Sequence, residues 1–235
     1  MKVNNIRSRY LRDLDHELFQ VRLRIACVAA LAVAALLSAD HQRAAVAAEP
    51  HWPPGVISLD GKWEILFDPE NKGRDAGWHL SEAFSSASGQ RIIDVPSCWE
   101  LTEQDFEGAA YYRLQFRIPE DWSGKVIRLR FDAVNFLSEV WLNDQAVGVH
   151  EGGFTPFEFR VDELVRAGTE NTLILRVVGP ILLQEKRVDG IGPMETPQWR
   201  GAITGGIWQS VRLIATDEVY VGDVFIEPKI SDNTA

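Results

Sequence analysis

Residues 127–178 read IRLRFDAVNFLSEVWLNDQAVGVHEGGFTPFEFRVDELVRAGTENTLILRVV, and the fold is decided in this stretch. Ile127, Leu129 and Phe131 alternate with Arg128, Arg130 and Asp132, the period-two signature of a strand with one buried face. Leu173, Leu175 and Val177 alternate in the same way with Ile174, Arg176 and Val178. Between them, Glu139–Leu142 and Ala146–Val149 flank Asn143-Asp144. Two residues that tolerate positive φ between two apolar runs predict a tight hairpin. Gly152-Gly153-Phe154-Thr155-Pro156-Phe157 then breaks and redirects the chain. An antiparallel β module built from non-local strand pairs follows from these features.

The same pattern extends outward. Upstream, Tyr112, Leu114, Phe116 and Ile118 alternate with Tyr111, Arg113, Gln115 and Arg117 in another one-face-buried strand. Ile92–Val95 reads as a strand stopped by Pro96, and Ile57–Phe67 holds the first strand or strands with Asp60-Gly61 as a turn. Asp68–Gly77 is predicted to be a loop, Trp78–Gly89 irregular, and Thr102–Gly108 turn-like. Downstream, Phe157–Val161 is a short strand. Asp162–Gly168 is one helical turn, capped by Asp162 and ended by Gly168. Gly179–Gly206 is the longest break, rich in proline and glycine, and loops of that length are functional or disordered. Ile207–Ala215 and Val219–Glu227 are expected to complete an all-β antiparallel sandwich.

The amino terminus carries a different signal. Arg22 and Arg24 precede the apolar run Ile25–Leu37, too short to span a bilayer and suited to a secretory signal peptide. Small residues at 44–48 supply a cleavage site after Ala47 or Ala48. Residues 1–48 are therefore read as a signal peptide directing the chain to a secreted or periplasmic location. An uncleaved anchor is the alternative and the one route to a membrane.

The net charge of the 235-residue chain is −10, which repels phosphate backbones and anionic lipid and argues against nucleic acid or peripheral membrane partners. Cys27 lies in the apolar run, so Cys98 stands alone in the mature chain and is expected to pack as a small residue. There is no Cys/His metal spacing and no phosphate-binding glycine loop, so neither metal nor cofactor is expected. His51, His79 and His150 are read as surface or loop residues.

Six runs in order resemble the amino-terminal sugar-binding domain of glycoside hydrolase family 2, the family of β-galactosidases, β-glucuronidases and β-mannosidases. They are Leu59–Trp63, Val95–Glu100, Tyr111–Pro119, Val140–Gly148, Gly152–Phe157 and Gly206–Leu213. The resemblance implies a jelly-roll, galactose-binding-domain-like β-sandwich over residues 49–228. It implies a β-glycoside as carbohydrate partner, and a following immunoglobulin-like domain and catalytic barrel. Val224–Ile230 would lead into that next domain, so residues 229–235 are read as its truncated start or as a linker.

The family's acid/base Glu follows an Asn in the barrel, and no Asn-Glu dipeptide occurs in this chain. No catalytic residue is therefore assigned, and the chain is expected to be inactive alone. In β-galactosidases of the family two loops of this domain reach the substrate. The resemblance places Glu107 in one, and Gln198, Trp199 and Arg200 in the other, where the β-galactosidase Asn and Asp are both missing. Carboxylate, amide and guanidinium groups can each hydrogen-bond sugar hydroxyls. Trp99 and Trp199, on loops, are candidates for stacking on a pyranose or for anchoring an interface, whereas Trp63, Trp141 and Trp208 are assigned to the core. Three functions stay open at this point: scaffold and sugar-contact domain of a secreted glycoside hydrolase, free-standing carbohydrate-binding module or lectin, and structural interaction domain.

Overall fold

Among the residues described by the computed structural model (54–183, 185–196, 204–222 and 224–227), strands dominate. In chain order they are β1 (Val56–Ser58), β2 (Gly61–Asp68), β3 (Arg91–Val95), β4 (Ala109–Arg117), β5 (Val126–Phe131) and β6 (Val134–Asn135). They continue with β7 (Leu137–Leu142), β8 (Gln145–Glu151), β9 (Phe157–Arg160), β10 (Glu170–Val178), β11 (Gly206–Ile207) and β12 (Val211–Thr216). One helix, α1 (Ser81–Ser86), lies between β2 and β3. The order β3-β2-β4-β10-β7-β8 forms a six-stranded sheet, β1-β12-β5-β9 a four-stranded one, and β11-β6 a short ribbon. Every one of these pairings is antiparallel. The signal-peptide reading of residues 1–48 and the reading of residues 229–235 lie outside the described residues.

The centre is β10, which pairs with β4 from Glu170↔Arg117 to Val178↔Ala109 and with β7 from Leu173↔Leu142 to Val178↔Leu137. Its predicted apolar face, Leu173, Leu175 and Val177, joins Leu129 and Phe131 of β5 and Val211 and Leu213 of β12 in one core between the two large sheets. Each such side chain contributes roughly 1.5–3 kcal/mol by leaving water.

The other face of β10 was expected to meet solvent and does not. Ile174 packs with Leu66, Tyr111 and Phe84, the last supplied by α1. Arg176 is fully buried under the loop that follows β2, bonded to Glu139 of β7 and Asn71. The stretch read as irregular, Trp78–Gly89, thus contains the helix that covers this face. Its formation depends on Phe84 finding Tyr111 and Ile174, not on any strong propensity of SEAFSS.

The predicted hairpin is present. Asn143 (φ +52°) and Asp144 (φ +65°) form the two-residue turn between β7 and β8, with the paired positive φ of a type I′ turn. Asn143 also accepts the Thr172 N–H at 3.0 Å and donates to Leu164 O and Asn171 Oδ1, tying the turn to β10 and its approach. Asp144 accepts both the backbone N–H and the hydroxyl of Ser81 at 2.7 Å. It supplies from another loop the cap that Leu80, at the cap position of α1, lacks. Asp144→Ala is expected to cost about 1 kcal/mol in urea unfolding. The Ser81 amide should lose hydrogen-exchange protection while the β10 amides keep theirs. An unchanged Ser81 amide would show that the cap does not hold α1.

Three further expectations are corrected. Asp162 does not cap the turn after β9: its carboxylate takes two hydrogen bonds from Arg160, while Val165 N–H closes the turn onto Val161 O. Residues 219–222 and 224–227 form no strand. Val219, Val221 and Phe225 are exposed, and no neighbouring edge receives their backbone. Trp63 is in the core, but Trp141 is half-buried against His79 (ring centroids 5.2 Å) and Trp208 is half-buried as well.

Candidate functional site

The register of the six-stranded sheet fixes where the connections gather. Val178 faces Ala109 and Leu137, so the chain leaving β10, the chain entering β4 and the chain entering β7 meet at one end of the sheet. Trp99 opens a 3₁₀ turn, Trp99–Leu101, in the connection entering β4. Its ring is 0% exposed and packs edge-on against Phe67 (6.0 Å) and Phe106 (5.4 Å). Gly179 and Gly205 press backbone onto the indole, and a Cβ at either would fall inside contact distance of it. Trp99 therefore has no open face for a pyranose, because two glycines distant in sequence close over it.

Glu107 is also committed internally. It is 7% exposed, and its Oε2 accepts the N–H groups of Leu182 (3.0 Å) and Leu183 (3.1 Å). The Lys186 ammonium donates to its backbone carbonyl. The carboxylate pins the start of the long loop after β10 instead of pointing into solvent. Gln198, Trp199 and Arg200 lie outside the described residues.

Glu100, not singled out in the sequence, is the more unusual carboxylate. Its Oε1 accepts the Gly205 N–H at 2.8 Å, while its buried Oε2 has no hydrogen-bond partner. Burial raises its pKa, outweighing the opposing pull of the Gly205 N–H. The Trp99 indole N–H donates no hydrogen bond of good geometry, and the same is true of the Tyr112 hydroxyl, beside Gly206. Burial first, and Glu100 second, push the Cys98 thiol up, so this half-buried cysteine stays protonated and is no nucleophile. The signal available for Glu100 was its place in the run Val95–Glu100, next to Trp99.

A second group lies where β6 meets β11. Gly206 pairs with Asn135, and the Asn135 amide donates to Thr204 O at 2.5 Å. Asn135 is 4% exposed, yet its Oδ1 has no partner. Trp208 donates its indole N–H to Gly153 O at 2.8 Å and meets Phe154 edge to face at 5.7 Å. Phe154 is 62% exposed. His150, placed on β8 and not on a loop, stacks on Phe157 (4.0 Å) with its Nε2 unpartnered. Burial lowers its pKa, so the imidazole is neutral near pH 7. The described residues contain no cluster of His, Cys, Asp and Glu suited to a metal ion.

Comparison with known proteins points the same way. Residues 102–217 match the family described as glycosyl hydrolases family 2, sugar binding domain. A β-galactosidase of Thermoanaerobacter pseudethanolicus is 30% identical over 191 residues, covering 77% of this chain and 23% of the relative. A β-glucuronidase of Bacteroides fragilis is 27% identical over 150 residues, 61% of this chain and 20% of its own length. The β-glucuronidase of Ruminococcus gnavus, solved in complex with D-glucaro-d-lactam, superposes with a TM-score of 0.59 at 25% identity over 72% of this chain and 31% of its own. The chain thus spans about a fifth to a third of these three relatives. The ordered runs, the antiparallel sandwich and these matches agree that the chain belongs, through residues 102–217, to the sugar-binding domains of glycoside hydrolase family 2.

Proposed function

We propose that this chain is the non-catalytic, sugar-contacting and scaffolding part of a secreted glycoside hydrolase. The observation that carries the proposal is the use of its carboxylates. Retaining hydrolysis needs two carboxyl groups about 5–5.5 Å apart, one of them free to give a proton. At the loop end, Glu107 instead spends Oε2 on the backbone N–H groups of Leu182 and Leu183, and Glu100 spends one oxygen, Oε1, on that of Gly205. Glu139 and Asp189 are held by arginines. Such groups brace loops. The family match supports sugar contact, and the apolar leader in residues 25–37 supports export.

The purified chain is expected to release no p-nitrophenol from p-nitrophenyl β-galactoside or β-glucuronide above the uncatalysed rate. It is expected to bind simple β-glycosides weakly, in the millimolar range. Expressed in a bacterial host, the exported product should have a mass matching cleavage after Ala47 or Ala48. Turnover that survives repurification would overturn the non-catalytic reading, and an intact leader on exported protein would overturn the signal-peptide reading.

A further inference from the structure

We propose that Phe154 and Trp208 form a stacking platform for a neutral pyranoside, seated on the loop that carries Gly152-Gly153-Phe154. The proposal rests on reading the chain as a sugar-contact domain and names where on it the sugar sits.

Phe154 leaves 62% of its surface in water, although burying a phenyl ring is favourable. The ring is nevertheless held. It meets Trp208 edge to face at 5.7 Å, and the Trp208 indole N–H is bonded to Gly153 O, one residue before Phe154. The two aromatics and the loop are thus fastened to one another and to β11 and β12, so little ordering remains to be done on binding.

The second observation is polar. Asn135 is 4% exposed, is fixed by its amide on Thr204 O, and has an Oδ1 with no partner lying against Gly153. Only a glycine fits at 153, because a Cβ would fall on that oxygen. Across Gly152, the His150 Nε2 lies against the Gly152 backbone and makes no hydrogen bond of good geometry. A hydroxyl donor brought to the glycine pair would supply the partner that the buried Asn135 Oδ1 lacks. An apolar ring face on a loop that covers an unsatisfied amide oxygen matches a hexose ring, with C–H bonds on one face and hydroxyl donors at its edge. The exposed neighbours Thr155 and Gln209 are uncharged. The net charge of −10 disfavours an anionic sugar further.

The test is saturation-transfer NMR and titration of the purified chain with methyl β-galactopyranoside and methyl β-glucuronide. The galactoside should bind several-fold more tightly. Phe154→Ala should weaken it by roughly fivefold or more, an energy typical of one aromatic contact. Thermal unfolding of that variant should not change, because the ring is exposed, and Phe154→Tyr should restore binding. Wild-type affinity in Phe154→Ala, with loss in Arg200→Ala, would overturn the platform and leave the sugar-contact reading standing. Tighter binding of the glucuronide would overturn the neutral-sugar assignment. No binding of either probe by the wild-type chain up to about 50 mM would overturn the sugar-contact reading, and the platform with it.

Discussion

Arg176→Met is expected to destabilise the chain by about 3–5 kcal/mol, the range for breaking a buried charge network by removing one member. For a unit of this size that is a fall of roughly 6–20 °C in the thermal midpoint. Arg176 is 0% exposed in the middle of β10. Its guanidinium donates to Glu139 at 2.8 Å and to Asn71 Oδ1 at 2.7 Å, and Asp189 lies 2.7 Å away. Arg74 closes the circuit, bonded to the same Glu139 and Asp189 at 2.7 and 2.8 Å. Two arginines thus balance two carboxylates over the outer face of the six-stranded sheet. Without Arg176 both acids share Arg74, which is itself 42% exposed on its side chain and partly screened by water.

Arg176→Lys should fall between wild type and Met, because an ammonium keeps the charge but cannot fork to two partners. Acid titration gives an independent readout. Burial alone would raise the Asp189 pKa, but hydrogen bonds from Asn71 and Arg74 and the charges of Arg176 and Arg74 outweigh it and hold it below 3.8. Its contribution to stability is therefore complete above the unfolded-state value and is lost as pH falls through the lower folded value. Removing Arg176 weakens that depression, so acid unfolding of the variant should begin at higher pH. A midpoint within about 2 °C of wild type and an unmoved acid limb would show that the network contributes nothing net.

The same residue shows how far the sequence could be read. Alternation along 173–178 places Leu173, Leu175 and Val177 on one face, and the structure puts them in the core. Alternation says only that the other face differs. An Arg there looks solvated, and its burial requires Arg74, Asn71 and Asp189, two of them about a hundred residues away in the chain. The Asn143-Asp144 hairpin was legible because its cause is local, a pair of positive-φ residues between two apolar runs. α1 was not, because Phe84 is ordered by Tyr111, Ile174 and the Arg113 guanidinium 4.7 Å over its ring. The candidate site divides in the same way. The runs that carry the family resemblance are short-range and were readable. The roles of Glu107 and Trp99 depend on what the loop after β10 brings to them. A polar or aromatic residue on a loop reads as available to ligand until the partner that occupies it is seen.

Trp99→Ala puts that reassignment to the test, with an expected loss of about 3–5 kcal/mol for removing a large buried aromatic. The indole fills the space between Phe67 and Phe106 on one side and the backbones of Gly179 and Gly205 on the other. Both chain ends of the long loop therefore rest on one ring. The loop's return is bonded there as well, through Gly205 N–H on Glu100 and the backbone N–H of Trp99 on Gly205 O. Deleting the ring should leave a cavity, lower the thermal midpoint and speed amide exchange at Gly205. Gly179→Ala and Gly205→Ala should each destabilise by about 1–3 kcal/mol through overpacking against the same ring. Trp99→Phe should recover part of the loss. A stacking residue for sugar would behave in the opposite way: Trp99→Ala would then abolish glycoside binding and leave the thermal midpoint within about 2 °C. Calorimetry and glycoside titration on this one variant separate the two roles. A large thermal loss in Trp99→Ala, with binding lost only in Phe154→Ala, would place the core anchor and the sugar contact on different aromatics of the same loop end.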